Sequence, residues 1–155
     1  LTNPIQVSAG SNHSCILYDN EAYPTEVFCR GAQVTEPTLV NSTQVSVGGS
    51  HTCALDGSSV VCWGGNGSGQ STVPTLVNPI QVSSGSSHTC ALDDNGVTCW
   101  GSNNYGQSTV VPTLVNPTKV STGGTHTCVL DNTAVVCWGN NDYGQLNVPN
   151  HFLLH

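Results

Sequence analysis

Eight cysteines, six histidines and nine carboxylates are the groups in this 155-residue chain that could do chemistry. Four of the histidines and four of the cysteines fall in one recurring string, H-[ST]-C-x-L, at His13, His51, His88 and His126. A second cysteine follows each first one, as Cys15/Cys29, Cys53/Cys62, Cys90/Cys99 and Cys128/Cys137. Histidine beside thiolate is metal chemistry where ligands converge. The H-x-C spacing also occurs in fragments of zinc sites, but no C-x-x-C accompanies it here. The four histidines are therefore read as consensus residues that hydrogen-bond backbone, with no metal and no cofactor expected. An even set of eight cysteines, two per repeat, is disulfide chemistry instead. It implies an oxidising compartment, secreted or on a cell surface, and leaves no thiolate as a nucleophile.

The carboxylates are Asp19, Glu21, Glu26, Glu36, Asp56, Asp93, Asp94, Asp131 and Asp142. Most fall in hairpin loops, where Asp is a turn residue. Asp93-Asp94-Asn95-Gly96 has calcium-ligating residue types, but it lacks the full oxygen-ligand loop with a distal Glu, so it is read as a turn. Glycoside hydrolysis needs two convergent carboxyls, and no convincing pair stands out. No G-x-S-x-G elbow, H-E-x-x-H or phosphate-cradling loop occurs. The chain is read as no enzyme, with a carbohydrate-binding or carbohydrate-hydrolysing propeller as the least favoured alternative.

The elements that position these residues repeat. First cysteines are spaced by 38, 37 and 38 residues. A period of this length marks stacked supersecondary units, none able to bury its apolar faces alone. In the third repeat, residues 79–83, 88–92 and 97–100 read as strands, 93–96 as a turn, and 108–111 as a short outer strand. No segment has a helical apolar period, so the chain is expected to be all-β.

Opposed residues of an antiparallel pair have a constant number sum. Leu92 and Val97 sum to 189, as do Cys90 and Cys99; the other repeats obey the same rule. Each cysteine pair thus falls directly cross-strand, within disulfide reach, giving Cys15–Cys29, Cys53–Cys62, Cys90–Cys99 and Cys128–Cys137. On both faces of each hairpin the residues are apolar, so each sheet must be covered on two sides, as in radially stacked blades.

Composition narrows the partners. Charged residues are 7% and net charge is −7, with Arg30 and Lys119 the only permanent cations. Nucleic acid and anionic lipid both need clustered Lys and Arg, so neither is expected as a partner. No apolar stretch is long enough to span a bilayer. With no Met, the chain reads as a mature or excised segment whose targeting signal lies outside it.

The run V-S-x-G-x-x-H-[ST]-C-x-L, then a turn, then V-x-C-W-G-x-N-x-x-G-Q, resembles the repeats of the regulator of chromosome condensation family. Repeat 3 carries it through Val82, Gly85, His88, Leu92, Trp100, Gly101, Asn103, Gly106 and Gln107. Repeats 2 and 4 carry it through Trp63 and Trp138 and their following loops. The resemblance implies β-propeller blades, and the paired cysteines suit a secreted, short-repeat branch. Repeat 1 departs from it: Arg30 stands at the Trp position and the W-G-x-N-x-x-G-Q tail is missing. One domain over residues 1–155 is expected, with repeats 1–38, 39–75, 76–113 and 114–155. They form either a closed four-bladed ring or an arc completed by other chains.

Function must then sit on what the blades display. The longer loop of repeat 1, residues 18–26, offers Tyr18, Asp19, Glu21, Tyr23 and Glu26 as a binding surface, though a degenerate capping blade would look the same. Sequons at Asn12, Asn41 and Asn66 are candidate acceptors for covalent glycans. Phe152, Leu153 and Leu154 form an apolar tail read as an assembly element. The reading is an extracellular, non-catalytic module for protein–protein contact or scaffolding. Its alternative is a protomer of an extracellular filament or surface assembly, whose partners are copies of itself.

Overall fold

Twelve short strands, rich in β-branched residues and broken by Gly, Pro and Asn, make up the computed structural model. It describes residues 3–20, 23–32, 35–109, 111–132 and 134–149. The first blade contains β1 (Asn3–Ala9), β2 (His13–Asn20) and β3 (Tyr23–Gly31). The second contains β4 (Ser42–Val47), β5 (His51–Asp56) and β6 (Ser59–Gly64). The third contains β7 (Gln81–Ser84), β8 (His88–Asp93) and β9 (Gly96–Gly101), and the fourth β10 (Pro117–Thr122), β11 (His126–Asp131) and β12 (Ala134–Gly139). Each blade is a three-stranded antiparallel sheet in chain order. The fold is all-β and propeller-like.

The cross-strand register is the one the number sums require. Cys53 faces Cys62, Cys90 faces Cys99, Cys128 faces Cys137, and Cys15 faces Cys29. All four pairs are disulfides, with Cα separations of 4.0–4.1 Å. Non-reducing peptide mapping should return these four linkages and no link between repeats. Replacing Cys90 and Cys99 together by Ala should cost about 2–3 kcal/mol, the low end for a short closed loop.

Three details differ from the sequence reading. The four-residue turn at 93–96 tightens to two residues, because Asp93 pairs with Gly96. Gly96 at φ +109° and Gly57 at +60° hold backbone that other residues resist. The described part of 108–111 is not a strand, because Ser108 and Thr109 are tied into the preceding loop by the Asn103 side chain. Finally, most of the 18–26 loop is strand: β2 runs to Asn20 and β3 starts at Tyr23, with Tyr18 opposite Glu26. A register shift past Tyr18 lets the β-forming Tyr, Thr and Val residues keep pairing.

The core lies between blades, not within them. Cys15, Leu17 and Cys29 of the first blade pack on Val45, Val47, Ala54 and Trp63 of the second. Cys53, Leu55 and Val60 meet Val82, Ala91 and Trp100, and Cys90 and Leu92 meet Val120, Val129 and Trp138. Trp63, Trp100 and Trp138 are all buried, whereas Arg30 is exposed. Among the described residues no comparable packing joins the fourth blade to the first, so the four blades form an open arc.

Candidate functional site

The chemistry-bearing residues converge at the three joints between blades. Each joint has a trailing face, from the earlier blade, and a leading face, from the later one. Three polar contacts recur across it, from the hub outward.

At the hub, the first strand of each blade pairs with only one neighbour and leaves backbone groups free along its other edge. A glutamine of the preceding blade satisfies them. Gln6 Oε1 accepts from Val45 N–H (2.8 Å) and its Nε2 donates to Val45 C=O (3.0 Å). Gln44 holds Val82 in the same way, at 2.9 Å for both bonds, and Gln81 Oε1 accepts from Val120 N–H at 2.9 Å. An amide carries both a donor and an acceptor, so it stands in for a strand. Two residues on, Ser8, Ser46 and Ser83 accept from the N–H groups of Val47, Ser84 and Thr122 at 2.9–3.0 Å. The in-phase Q-V-S was visible in the sequence. Sequence reasoning passed over it because Gln and Ser on a half-exposed strand look like solvent-facing residues.

In the middle of each joint stands the repeated histidine. His13, His51 and His88 place Nε2 at 2.8, 2.7 and 3.0 Å from the hydroxyls of Thr52, Thr89 and Thr127 on the next blade. Their partner is thus a side chain across the joint, not the backbone that the sequence reading expected. Thr89 donates its own proton to the Gln70 carbonyl at 3.0 Å, so His51 must be the Nε2–H tautomer. The Nδ1 atoms of His51 and His88 are then buried lone pairs without a partner. Each imidazole lies over the glycine three residues earlier, where a Cβ on Gly48 or Gly85 would collide with the ring. This accounts for the Gly of the G-x-x-H motif. Burial, and secondarily the charges of neighbouring histidines, push His51 and His88 down to about 4. Burial also lowers His13.

At the periphery, Trp100 and Trp138 donate their indole N–H groups to the carbonyls of Gln70 and Gln107, at 2.9 and 3.1 Å. The G-x-N-x-x-G-Q loops are built to present those carbonyls. Asn66, Asn103 and Asn141 accept backbone N–H groups five residues on, from Ser71, Ser108 and Leu146. The Gln side chains accept from Ser68, Tyr105 and Tyr143. Repeat 1 has no such tail, and Trp63, which faces it, has a buried indole N–H with no acceptor among the described residues.

The remaining candidates are dispersed. Asp56, Asp93 and Asp131 accept backbone N–H groups of the linker before their own blade, from Val40, Val77 and Val115. Asp93 also accepts from Asn95 N–H, so both its oxygens face donors, which is turn chemistry rather than cation chemistry. Asp19 and Glu26 are exposed on the extended hairpin of the first blade and Tyr18 is half-buried. Thr25 on the same hairpin donates to the Ser42 carbonyl of the second blade. Tyr23 begins β3, while Glu21, Phe152, Leu153 and Leu154 lie outside the described residues. The inner turns of all four blades ring a concavity of about 310 Å³ lined by small residues such as Gly48, Gly85 and Gly123.

Of the three sequon residues, all are exposed, but Asn66 also works inside its loop. Its Nδ2 donates to Thr72 at 3.0 Å. Asn66→Ala should therefore lower stability by about 1–2 kcal/mol, whereas Asn41→Gln should stay within about 0.5 kcal/mol of wild type in urea denaturation.

Among the described residues, nothing covers the joint face at either end of the arc. Val7 is 71% exposed, although its counterparts Val45, Val82 and Val120 are each 1% exposed. Leu130 is 43% exposed, against 0–7% for Leu17, Leu55 and Leu92.

The model of the regulator of chromosome condensation (RCC1) repeat matches residues 43–70, 80–107 and 118–145. No curated protein matches significantly. Among solved structures, the ectodomain of the receptor kinase CR4 from Physcomitrella patens is 28% identical, with a TM-score of 0.77 over 94% of this chain and 43% of that one. The CRINKLY WD40 ectodomain of the receptor kinase ACR4 from Arabidopsis thaliana is 25% identical, with a TM-score of 0.69 over 88% of this chain and 49% of that one. Prp20p from Saccharomyces cerevisiae, whose binding properties toward Gsp1p and histones accompany its structure, is 20% identical, with a TM-score of 0.77 over 98% and 47%. The chain thus spans a little under half the length of these structures.

Proposed function

Because the chain belongs to the regulator of chromosome condensation (RCC1) repeat family, we propose that it is a non-catalytic extracellular module for protein–protein contact or scaffolding, folded as one domain over residues 1–155. The observation that carries this is the use of its reactive side chains. All eight cysteines are disulfide-bonded, and His13, His51 and His88 are held between blades. What the chain offers to solvent is loop and face, the parts with which repeat scaffolds make contacts. Four disulfides and the likeness to two receptor-kinase ectodomains support an oxidising, extracellular setting. Glycans on exposed Asn12 or Asn41 would suit such a setting and a surface with little charge.

The contact surface in this reading is the long hairpin of the first blade, with Tyr18, Asp19 and Glu26. The secreted chain, fused to a proximity-labelling peroxidase and applied to intact cells of its source, should label extracellular proteins. Labelling should fall severalfold when Tyr18→Ser, Asp19→Asn and Glu26→Gln are combined, with the melting temperature kept. Equal labelling by both proteins would remove the hairpin from the contact, and free thiols in the secreted chain would remove the extracellular setting. A second reading, self-assembly, is favoured by one observation: the two ends of the arc are apolar joint faces left open.

A further inference from the structure

Three valines hold the same place in successive repeats, and the fold does not bury them. Val40, Val77 and Val115 lie in the linkers before the second, third and fourth blades and are 67%, 43% and 81% exposed. Each linker is fastened by its backbone. The valine N–H groups donate to Asp56, Asp93 and Asp131, and the Val77 carbonyl accepts from Asp94 N–H at 2.9 Å. Any residue but proline would supply those groups, so the bonds fix the positions without calling for an apolar side chain. Because the acceptors are hairpin residues, all three valines stand at the end of the blades where the hairpins turn. Ile80, just before β7, adds a 65% exposed side chain there.

Between the valines the same end is hollowed. One cavity of about 270 Å³ lies between residues 58–60 of the second hairpin and the next linker, lined by Val73, Leu76 and Pro79. Its counterpart one blade on, of about 380 Å³, is lined by Val111, Leu114 and Pro117, with Asp94 and Asn95 on its turn side. The first hairpin borders this row. Leu17 opposes Val27 as Leu55 opposes Val60, but pairing then continues to Asn20 and Tyr23. That hairpin therefore projects past the level at which the other three turn. Thr25 on it donates to the Ser42 carbonyl, beside the linker that carries Val40.

Charge sets the partner. Of the nine carboxylates Glu21 lies outside the described residues, and six of the other eight belong to the hairpins at this end: Asp19, Glu26, Asp56, Asp93, Asp94 and Asp131. Asp19, Glu26 and Asp94 are exposed. Arg30 lies at the opposite end, opposite Ser14 and beside the repeated histidine, which leaves Lys119 of β10 as the cation near this one. A second copy offering the same end would set like charge against like, and a polyanion would meet the same repulsion. A basic segment meets neither.

We propose that this end of the blades docks a basic, aliphatic segment of another protein. Its small apolar side chains pack on Val40, Val77 and Val115 and enter the two cavities, and its Lys or Arg side chains face Asp94 and the first hairpin. The inference rests on the reading of the chain as a protein-contact module and carries the contact surface from the hairpin across the linkers.

The test is fluorescence anisotropy of the 155-residue chain with three labelled peptides of about a dozen residues, alternating Lys-Val, Lys-Ser and Glu-Val. Lys-Val should bind roughly tenfold tighter than Lys-Ser, which shares its charge, and Glu-Val should not bind. Val77→Ser combined with Val115→Ser should erase that difference, with the melting temperature kept because both side chains are exposed. Asp19→Asn, Glu26→Gln and Asp94→Asn together should weaken both basic peptides severalfold. Tyr143→Ser, in an exposed loop at the opposite end, should change nothing. Equal binding of Lys-Val and Lys-Ser overturns the proposal, because charge alone would then be at work. So does a preference that survives the valine substitutions. Heparin or a glucosamine oligomer binding as tightly as Lys-Val would make the face a sugar site and overturn it too. The valine variant leaves the first hairpin intact. Lost peptide selectivity with unchanged peroxidase labelling therefore fails this inference alone, and equal labelling by the hairpin variant with selectivity intact fails only the hairpin reading.

Discussion

Trp100→Ala should lower the stability of the chain by about 3–5 kcal/mol, the range for deleting a large buried aromatic. For a chain of this size that is roughly 2–4 °C of melting temperature per kcal/mol. The indole packs against Cys53, Leu55 and Val60 of the blade before it, so the cavity opens in a joint between two disulfide-braced sheets that cannot collapse freely. The substitution also removes the hydrogen bond to the Gln70 carbonyl. The joints predict a sharper contrast for Trp→Phe, which keeps most of the apolar volume and deletes only the N–H. At position 100 the change should cost about 1 kcal/mol beyond the lost area, because a satisfied bond is broken. At position 63 the deleted N–H has no acceptor among the described residues, so Trp63→Phe should be milder, close to neutral or even stabilising. Chemical denaturation of the two Phe variants measures it. Equal losses at both positions would sever the link between the missing tail of repeat 1 and the unpaired indole. An unchanged melting temperature for Trp100→Ala would remove the joint as the seat of stability.

Much of the fold was readable because the repeat constrains it several times over. The constant number sums fixed which strand residues oppose each other, and that register carried the disulfides. Apolar residues on both faces of the His88 hairpin implied covered blades before any packing was seen. The extended hairpin of the first blade was read as a loop because its added length carries Asp, Asn, Glu and Pro, which usually mark turns. There, strand pairing carries past a register shift and overrides local composition. The joint chemistry was hidden for a different reason. A histidine's role depends on the residue across the joint, 38 or 39 positions away, and strand periodicity within one repeat says nothing about that distance. Gln6 is the same kind of case, since its partner Val45 belongs to another sheet. The open ends could be read only by comparing equivalent positions. Val7 and Val120 have the same residue type in the same motif, and only the presence or absence of a preceding blade separates their exposures.

Acid should loosen the arc at its joints. His51 and His88 titrate near 6.5 when unfolded and are pushed down to about 4 in the fold, first by burial and then by the charge of neighbouring histidines. Between those values the unfolded chain holds protons that the folded chain refuses. Stability therefore stands in full above pH 6.5 and falls as the pH drops toward 4. The shift of each group corresponds to about 3 kcal/mol at the low end of that window, an order-of-magnitude figure for a buried site. His51 and His88 sit in successive joints, and the charge of His88 adds to burial in opposing protonation of His51. The mechanism is local: a cation at His51 Nδ1 would lie against Gly48 with no acceptor in reach. Urea denaturation at pH 7.5, 6, 5 and 4.5 should show the midpoint dropping throughout the series, with the steepest fall below 6. Replacing both histidines by Gln keeps an N–H donor for Thr89 and Thr127 but removes the titration. That double variant should be less stable than wild type at pH 7.5 and lose less between 7.5 and 4.5. NMR titration of the histidine Cε1–H signals gives a second reading that does not depend on how well the variant folds. A wild-type midpoint unchanged from pH 7.5 to 4.5, or His51 and His88 signals that titrate near 6.5 in the folded chain, would mean that the joints admit water and that these two imidazoles are not sealed between blades.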